Sequence, residues 1–130
     1  VVGVLPEFFM VKEITYDEAD ELVVTKNMRE RKAELDERSD AFIALPGGVG
    51  TLEEIFEILS MKQLKLTLKP FVFLNIQGYY DKLISQFRDM VDLKFAKKET
   101  LDLFAVAPDP DSALDYILTY QPPPLPSKWL

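Results

Sequence analysis

Ala41-Phe42-Ile43-Ala44-Leu45-Pro46-Gly47-Gly48-Val49-Gly50-Thr51-Leu52-Glu53-Glu54-Ile55-Phe56-Glu57 is the stretch that decides the fold. A short apolar run stops at Pro46, a glycine-rich turn follows, and a helical pattern begins at once, so the stretch reads as strand, loop and helix. Of the five glycines in the protein, three (Gly47, Gly48 and Gly50) lie within four consecutive positions. Such a backbone needs either positive φ or close approach of another group, and at the mouth of a helix that group is typically an anion. The free N–H groups of the first turn and the helix dipole both favour negative charge there. The turn is not a Walker loop, because Leu52 and Glu53 follow Thr51, and G-G-x-G is not the dinucleotide fingerprint G-x-G-x-x-G.

Working outward, the apolar runs Val1 to Leu5, Glu21 to Thr25, Ala41 to Leu45, Pro70 to Leu74 and Leu101 to Ala107 (the last with a short helical turn) predict five strands. Helices are predicted from Met28 to about Arg38, Thr51 to about Leu64, Tyr79 to about Val91, and from Pro108, Pro110 and Asp111 through Tyr120. Leu52, Ile55, Phe56, Leu59 and Met61 or Gln63 form the expected core face of the second of these. Glu7 to Asp20 has no sustained period and reads as a surface connection anchored by Phe8, Phe9 and Met10. Strands alternating with helices call for an α/β fold: a Rossmann-like parallel sheet with helices on both faces. Ligands of such sheets bind at the carboxyl ends of the strands, so the glycine turn and the segment Thr25 to Lys32 face one crevice if the second and third strands are neighbours.

Composition narrows the chemistry. The 130 residues fit one domain, with 1–120 expected to form a nucleotide-binding domain and 121–130, QPPPLPSKWL, an extended polyproline II tail. That tail is expected to pack on its own protein or a dimer partner, with a P-x-x-P ligand as the alternative. The opening VVGVL, without Met, reads as a strand in mid-fold and suggests that an N-terminal segment is missing. No window reaches the length of a membrane span and no signal peptide opens the chain, so the default location is cytoplasmic. With no cysteine and no histidine, thiolate chemistry and the commonest zinc ligands are absent, and proton transfer falls to carboxylates, Lys, Tyr or water. The net charge of −7 argues against a polymeric nucleic acid but leaves room for one nucleotide.

Two clusters suit a nucleotide. Asn27 and Glu30 form a capping box, and Arg29, Arg31 and Lys32 place three cations in a helical turn where the dipole favours anions. They serve either as a solvated face paired with Glu34, Asp36 and Glu37 or as anion ligands. Thr51 and Glu54 are spaced as a capping box; the functional alternative is a carboxylate at the mouth of the phosphate turn, with Arg31 opposite. Beside a bound ribose such a carboxylate answers the positive charge that develops when a glycosidic bond breaks. Glu53 is the internal control.

The segment Met28-Arg29-Glu30-Arg31-Lys32 followed by Pro46-Gly47-Gly48-Val49-Gly50-Thr51-Leu52-Glu53-Glu54 strongly resembles the LONELY GUY (LOG) family, whose motifs are M-x-x-R-K and P-G-G-x-G-T-x-x-E. The resemblance continues through Gln63-Leu64, Lys69-Pro70 and Asn75-x-x-Gly78-Tyr79-Tyr80-Asp81. It implies a phosphoribohydrolase that cuts the N-glycosidic bond of a cytokinin riboside 5′-monophosphate, working as a homodimer without cofactor or metal. By this resemblance Arg31 and Glu54 are the catalytic pair. Lys32, Gly47, Gly48, Val49, Gly50, Thr51, Glu53, Ser60 and Glu13 bind the substrate. Ser60 stands where the family usually has Thr, Met61 replaces Trp and Lys62 replaces Ala, so the pocket near the base or the dimer surface departs from the family pattern. Relatives often carry a lysine decarboxylase label, for which the chain shows no specific pyridoxal-phosphate lysine signature. The alternatives are a nucleosidase for AMP or other 5′-monophosphates, and a non-catalytic module: a molybdenum-cofactor carrier or nucleotide sensor.

Overall fold

The structure, a computed structural model, describes residues 1–10 and 18–122 and divides into two compact units, Val1–Ser39 and Asp40–Leu130. Glu13 and the tail from 123 onward lie outside the described residues.

In the first unit, β1 (Val2–Pro6) runs parallel to β2 (Glu21–Thr25), with Val2 opposite Glu21 and Pro6 opposite Thr25. A short helix α1 (Glu7–Met10) follows β1, where the sequence reading had only a connection. Helix α2 (Met28–Arg38) has the predicted bounds. The Asn27 side chain accepts from the Glu30 N–H at 3.0 Å, and Glu30 reaches back to the Lys26 N–H, also at 3.0 Å, one residue earlier than a standard capping box.

The second unit is a three-stranded parallel sheet in the order β3 (Phe42–Ala44), β4 (Phe71–Leu74), β5 (Ala105–Ala107). Its helices are α3 (Val49–Gln63), α4 (Asp81–Asp92) and α5 (Pro110–Thr119). Every residue of β4 is buried, and its side chains alternate between two cores. Phe71 and Phe73 pack with Ile55 and Leu59 of α3 and Ile84 and Phe87 of α4; Val72 and Leu74 pack with Ala107 and Ala113, the latter on α5. A central parallel strand covered by helices on both faces is the expected arrangement. Among the described residues β2 pairs with β1 and β3 with β4, each within its own unit.

The buried stripe of α3 differs from the sequence reading. Ile55, Leu59 and Lys62 are its buried residues, so the 3-4-3 spacing from Leu52 selects Lys62 in place of Met61 or Gln63. The Lys62 Nζ donates to the Lys69 carbonyl and lies 5.4 Å from the centre of the Tyr120 ring, which suits a cation brought out of water. Burial pulls this amine below the ordinary lysine range. Helices α3 and α4 both end in a Schellman arrangement. Lys65 (φ 60°) and Lys94 (φ 64°) take the left-handed position, and the N–H groups of Leu66 and Phe95 return to the carbonyls of Met61 and Met90.

Candidate functional site

The glycine turn lies at the carboxyl edge of the second unit's sheet. Parallel pairing sets Ala44 beside Phe73, so the segments leaving β3 and β4 emerge at the same edge. Helix α3 starts at Val49, two residues before the predicted Thr51, because Gly48 takes an extended backbone (φ −94°, ψ −156°) and serves as the N-cap. The Leu52 N–H makes a 3.1 Å bond to the Gly48 carbonyl, so the amides of Val49, Gly50 and Thr51 precede the α-helical ladder. No acidic side chain occupies this first turn and no side chain caps it.

This start corrects two expectations. Thr51 sits inside the first turn rather than at the cap, so Thr51 and Glu54 do not form a capping box, and Glu54 belongs to the second turn. Nor is positive φ the reason for the glycines, because Gly78 is the positive-φ glycine among the described residues. Gly47 is required by contact with its own chain: a Cβ there would fall 2.2 Å from the Thr51 hydroxyl oxygen. At Gly48 and Gly50 a Cβ would meet nothing within 4 Å, so no packing demands glycine at either position. Bare backbone facing open space is what close approach of a ligand needs.

Two tyrosines hold the turn. The Tyr79 hydroxyl donates to the Gly47 carbonyl at 2.6 Å, and the Tyr80 hydroxyl donates to the Leu45 carbonyl. Asn75 orders the segment that carries them: its side-chain oxygen accepts from the Tyr80 N–H and its amide nitrogen donates to Asp81, each at 2.7 Å. Gly78 (φ 74°) makes the bend. In the sequence, Gly78-Tyr79-Tyr80-Asp81 stand out only through the family resemblance. The available signal was their place just after β4, at the edge where ligands of parallel sheets bind.

The remaining candidates are spread along two helices. Glu54 is half-buried and Glu53 exposed on α3. Ser60 lies a little over three turns from Gly48, roughly 18 Å at the usual rise per residue, and its hydroxyl donates to the Phe56 carbonyl at 2.7 Å. In the first unit Arg31 and Lys32 are half-buried on α2, and the Arg31 Nε donates to the Val4 carbonyl of β1 at 2.9 Å. That bond fixes the stem of a planar guanidinium that carries four further N–H donors. Glu34 pairs with Arg38 at 2.6 Å, and Arg38 also meets Glu21 at 2.8 Å. A cavity of about 440 Å³ in the second unit is lined by Leu101, Phe104, Tyr116 and Tyr120, among others, beside the end of α5. The end of a helix that follows a parallel strand lies at the opposite edge of the sheet from the glycine turn, so this cavity is not the candidate site. Among the described residues no helix is long and apolar enough to cross a membrane.

The sequence of this chain is similar to those of known proteins. The family described as "Possible lysine decarboxylase" matches residues 1–117. The chain is 43% identical over 122 residues to a rice (Oryza sativa subsp. japonica) protein named "Probable cytokinin riboside 5'-monophosphate phosphoribohydrolase LOGL9", covering 94% of this chain and 54% of the relative. It is 40% identical, again over 94% of its length, to the rice protein of the same title ending LOGL6 and to the Arabidopsis thaliana "Cytokinin riboside 5'-monophosphate phosphoribohydrolase LOG5", covering 49% and 54% of them. The chain thus spans about half the length of these curated relatives.

Proposed function

The chain belongs to the LONELY GUY family, and from this we propose that it serves a phosphoribohydrolase that cleaves the N-glycosidic bond of a nucleoside 5′-monophosphate, with a cytokinin riboside 5′-monophosphate as substrate. Water adds to C1′ of the ribose, the bond from C1′ to the base nitrogen breaks, and a proton goes to the leaving base, giving free base and ribose 5-phosphate. The observation that carries the reading is the mouth of α3: three amides ahead of the helical ladder, two glycines with no packing reason, and a half-buried carboxylate on the next turn.

The amides of Val49, Gly50 and Thr51 bind the 5′-phosphate, with Gly48 and Gly50 allowing its approach and Gly47 letting the turn close on Thr51. Arg31, its stem tied to Val4, orients the nucleotide and answers its charge, and Lys32 adds a second cation. Glu54 supports the oxocarbenium-like sugar or activates water. Glu13, Glu53 and Ser60 complete the substrate contacts inherited from the family pattern, in a cytoplasmic homodimer.

The test uses the full-length protein with its native N-terminus, given isopentenyladenosine monophosphate, AMP and the matching nucleosides, with chromatography for free base. Release from the monophosphates and not from the nucleosides is the expected result. Binding without release would replace this reading with that of a carrier or sensor.

A further inference from the structure

We propose that Tyr79 is a positioning residue for the phosphate turn, acting through the peptide that joins Gly47 to Gly48; the inference rests on the phosphate-binding reading of that turn. The Tyr79 hydroxyl donates to the Gly47 carbonyl at 2.6 Å. In a planar trans peptide the C=O and the following N–H point in opposite directions, so a carbonyl held toward Tyr79 directs the Gly48 N–H to the other side. Glycine on both sides makes this peptide easy to turn over. Tyr79 supplies the restraint that the glycines remove. It holds the Gly48 amide as a fourth donor beside those of Val49, Gly50 and Thr51, ready for a phosphate oxygen.

Tyr80 does a different job. Its partner carbonyl, Leu45, belongs to the peptide that enters Pro46, which has no N–H, so fixing it anchors the strand end without aiming a donor. Burial separates the two residues as well: Tyr80 is 2% exposed and packs against Phe73, whereas Tyr79 is 55% exposed. Loss of the Tyr79 hydroxyl therefore affects the turn more than the core.

The experiment compares wild type, Tyr79→Phe and Tyr80→Phe in the full-length protein. Calorimetry measures binding of ribose 5-phosphate and adenosine, thermal unfolding measures stability, and base release from AMP and isopentenyladenosine monophosphate is followed separately. Tyr79→Phe is expected to bind ribose 5-phosphate about tenfold more weakly, the effect of one charge-assisted hydrogen bond. Its adenosine binding and unfolding midpoint should stay at wild-type values. In turnover, KM for the monophosphate rises by the same factor with kcat unchanged, the pattern of an interaction made equally in ground and transition states. Tyr80→Phe lowers the midpoint and leaves the preference for phosphorylated ligand intact. Equal affinity of Tyr79→Phe and wild type for ribose 5-phosphate overturns the proposal. So does equal weakening toward adenosine, or a wild type that does not bind ribose 5-phosphate. Tyr79-dependent phosphate binding in a protein that releases no base leaves this proposal standing and removes the hydrolase reading.

Discussion

The Thr51 hydroxyl fills the place a Gly47 side chain would take: a Cβ on Gly47 would lie 2.2 Å from Thr51 Oγ1 and 2.8 Å from its Cβ. The second distance decides the consequence, since a Cβ near the backbone does not swing aside as a flexible side-chain end does. Gly47→Ala should cost about 1–3 kcal/mol, the usual penalty for overpacking, read as a fall in the urea midpoint.

Gly50→Ala should do the reverse. The position is helical and a Cβ there meets nothing, so alanine raises stability by about 0.5 kcal/mol through helix propensity. If the open face of Gly50 is kept for a phosphate, the same variant binds ribose 5-phosphate more weakly. A gain in both stability and affinity would remove Gly50 from the site.

Glu54→Gln keeps shape and removes charge, and should lower kcat by about 10²- to 10⁴-fold, the range for a general base or an equivalent charged group. Glu53→Gln, one residue round the helix and exposed, should leave kcat near wild type and act, if at all, on KM through its substrate contact. Steady-state rates of the two variants decide between them, and the opposite ranking would move the catalytic role to Glu53.

Lys62 gives stability a pH dependence of known sign. Burial lowers its native pKa below the unfolded value. Between the two values the unfolded chain holds a proton that the native chain does not, so its contribution grows as pH rises through that window toward about 10.4. Below the window the cost of the buried charge is present in full. The stability of wild type relative to Lys62→Met should therefore increase on going from neutral pH toward the ordinary lysine range, as measured by urea unfolding at several pH values. Tyr80, Tyr116 and Tyr120, whose pKa values are raised by burial, lose their contribution above about pH 10; the first two cancel from the difference, and readings below pH 10 keep Tyr120, which faces the Lys62 amine, protonated in both proteins.

Lys94 takes a left-handed backbone at the end of α4, with φ 64°. Glycine adopts that conformation without the Cβ penalty, so Lys94→Gly should raise stability by about 0.5–1 kcal/mol and move the thermal midpoint up by a few degrees.

Much of this protein was legible along the chain. Short apolar runs and period-3.6 patterns placed the strands and helices, Asn27 announced α2, and Met28 to Lys32 with Pro46 to Glu54 named the family, because each signal is carried by residues close in sequence. What the sequence could not settle depended on partners far along the chain. The T-x-x-E spacing fits a capping box equally well until the backbone of Gly48 shows where α3 begins. Lys62 looks like a surface residue until α3 packs against the sheet and the Lys69 carbonyl and Tyr120 receive its amine. Tyr79 and Tyr80 lie more than thirty positions after the carbonyls they hold, at Gly47 and Leu45. Only the parallel pairing of β3 with β4 brings the two segments to one edge. Local hydrogen bonding and hydrophobic period are written in neighbouring residues, whereas the restraint on the glycine turn exists only once the sheet has formed.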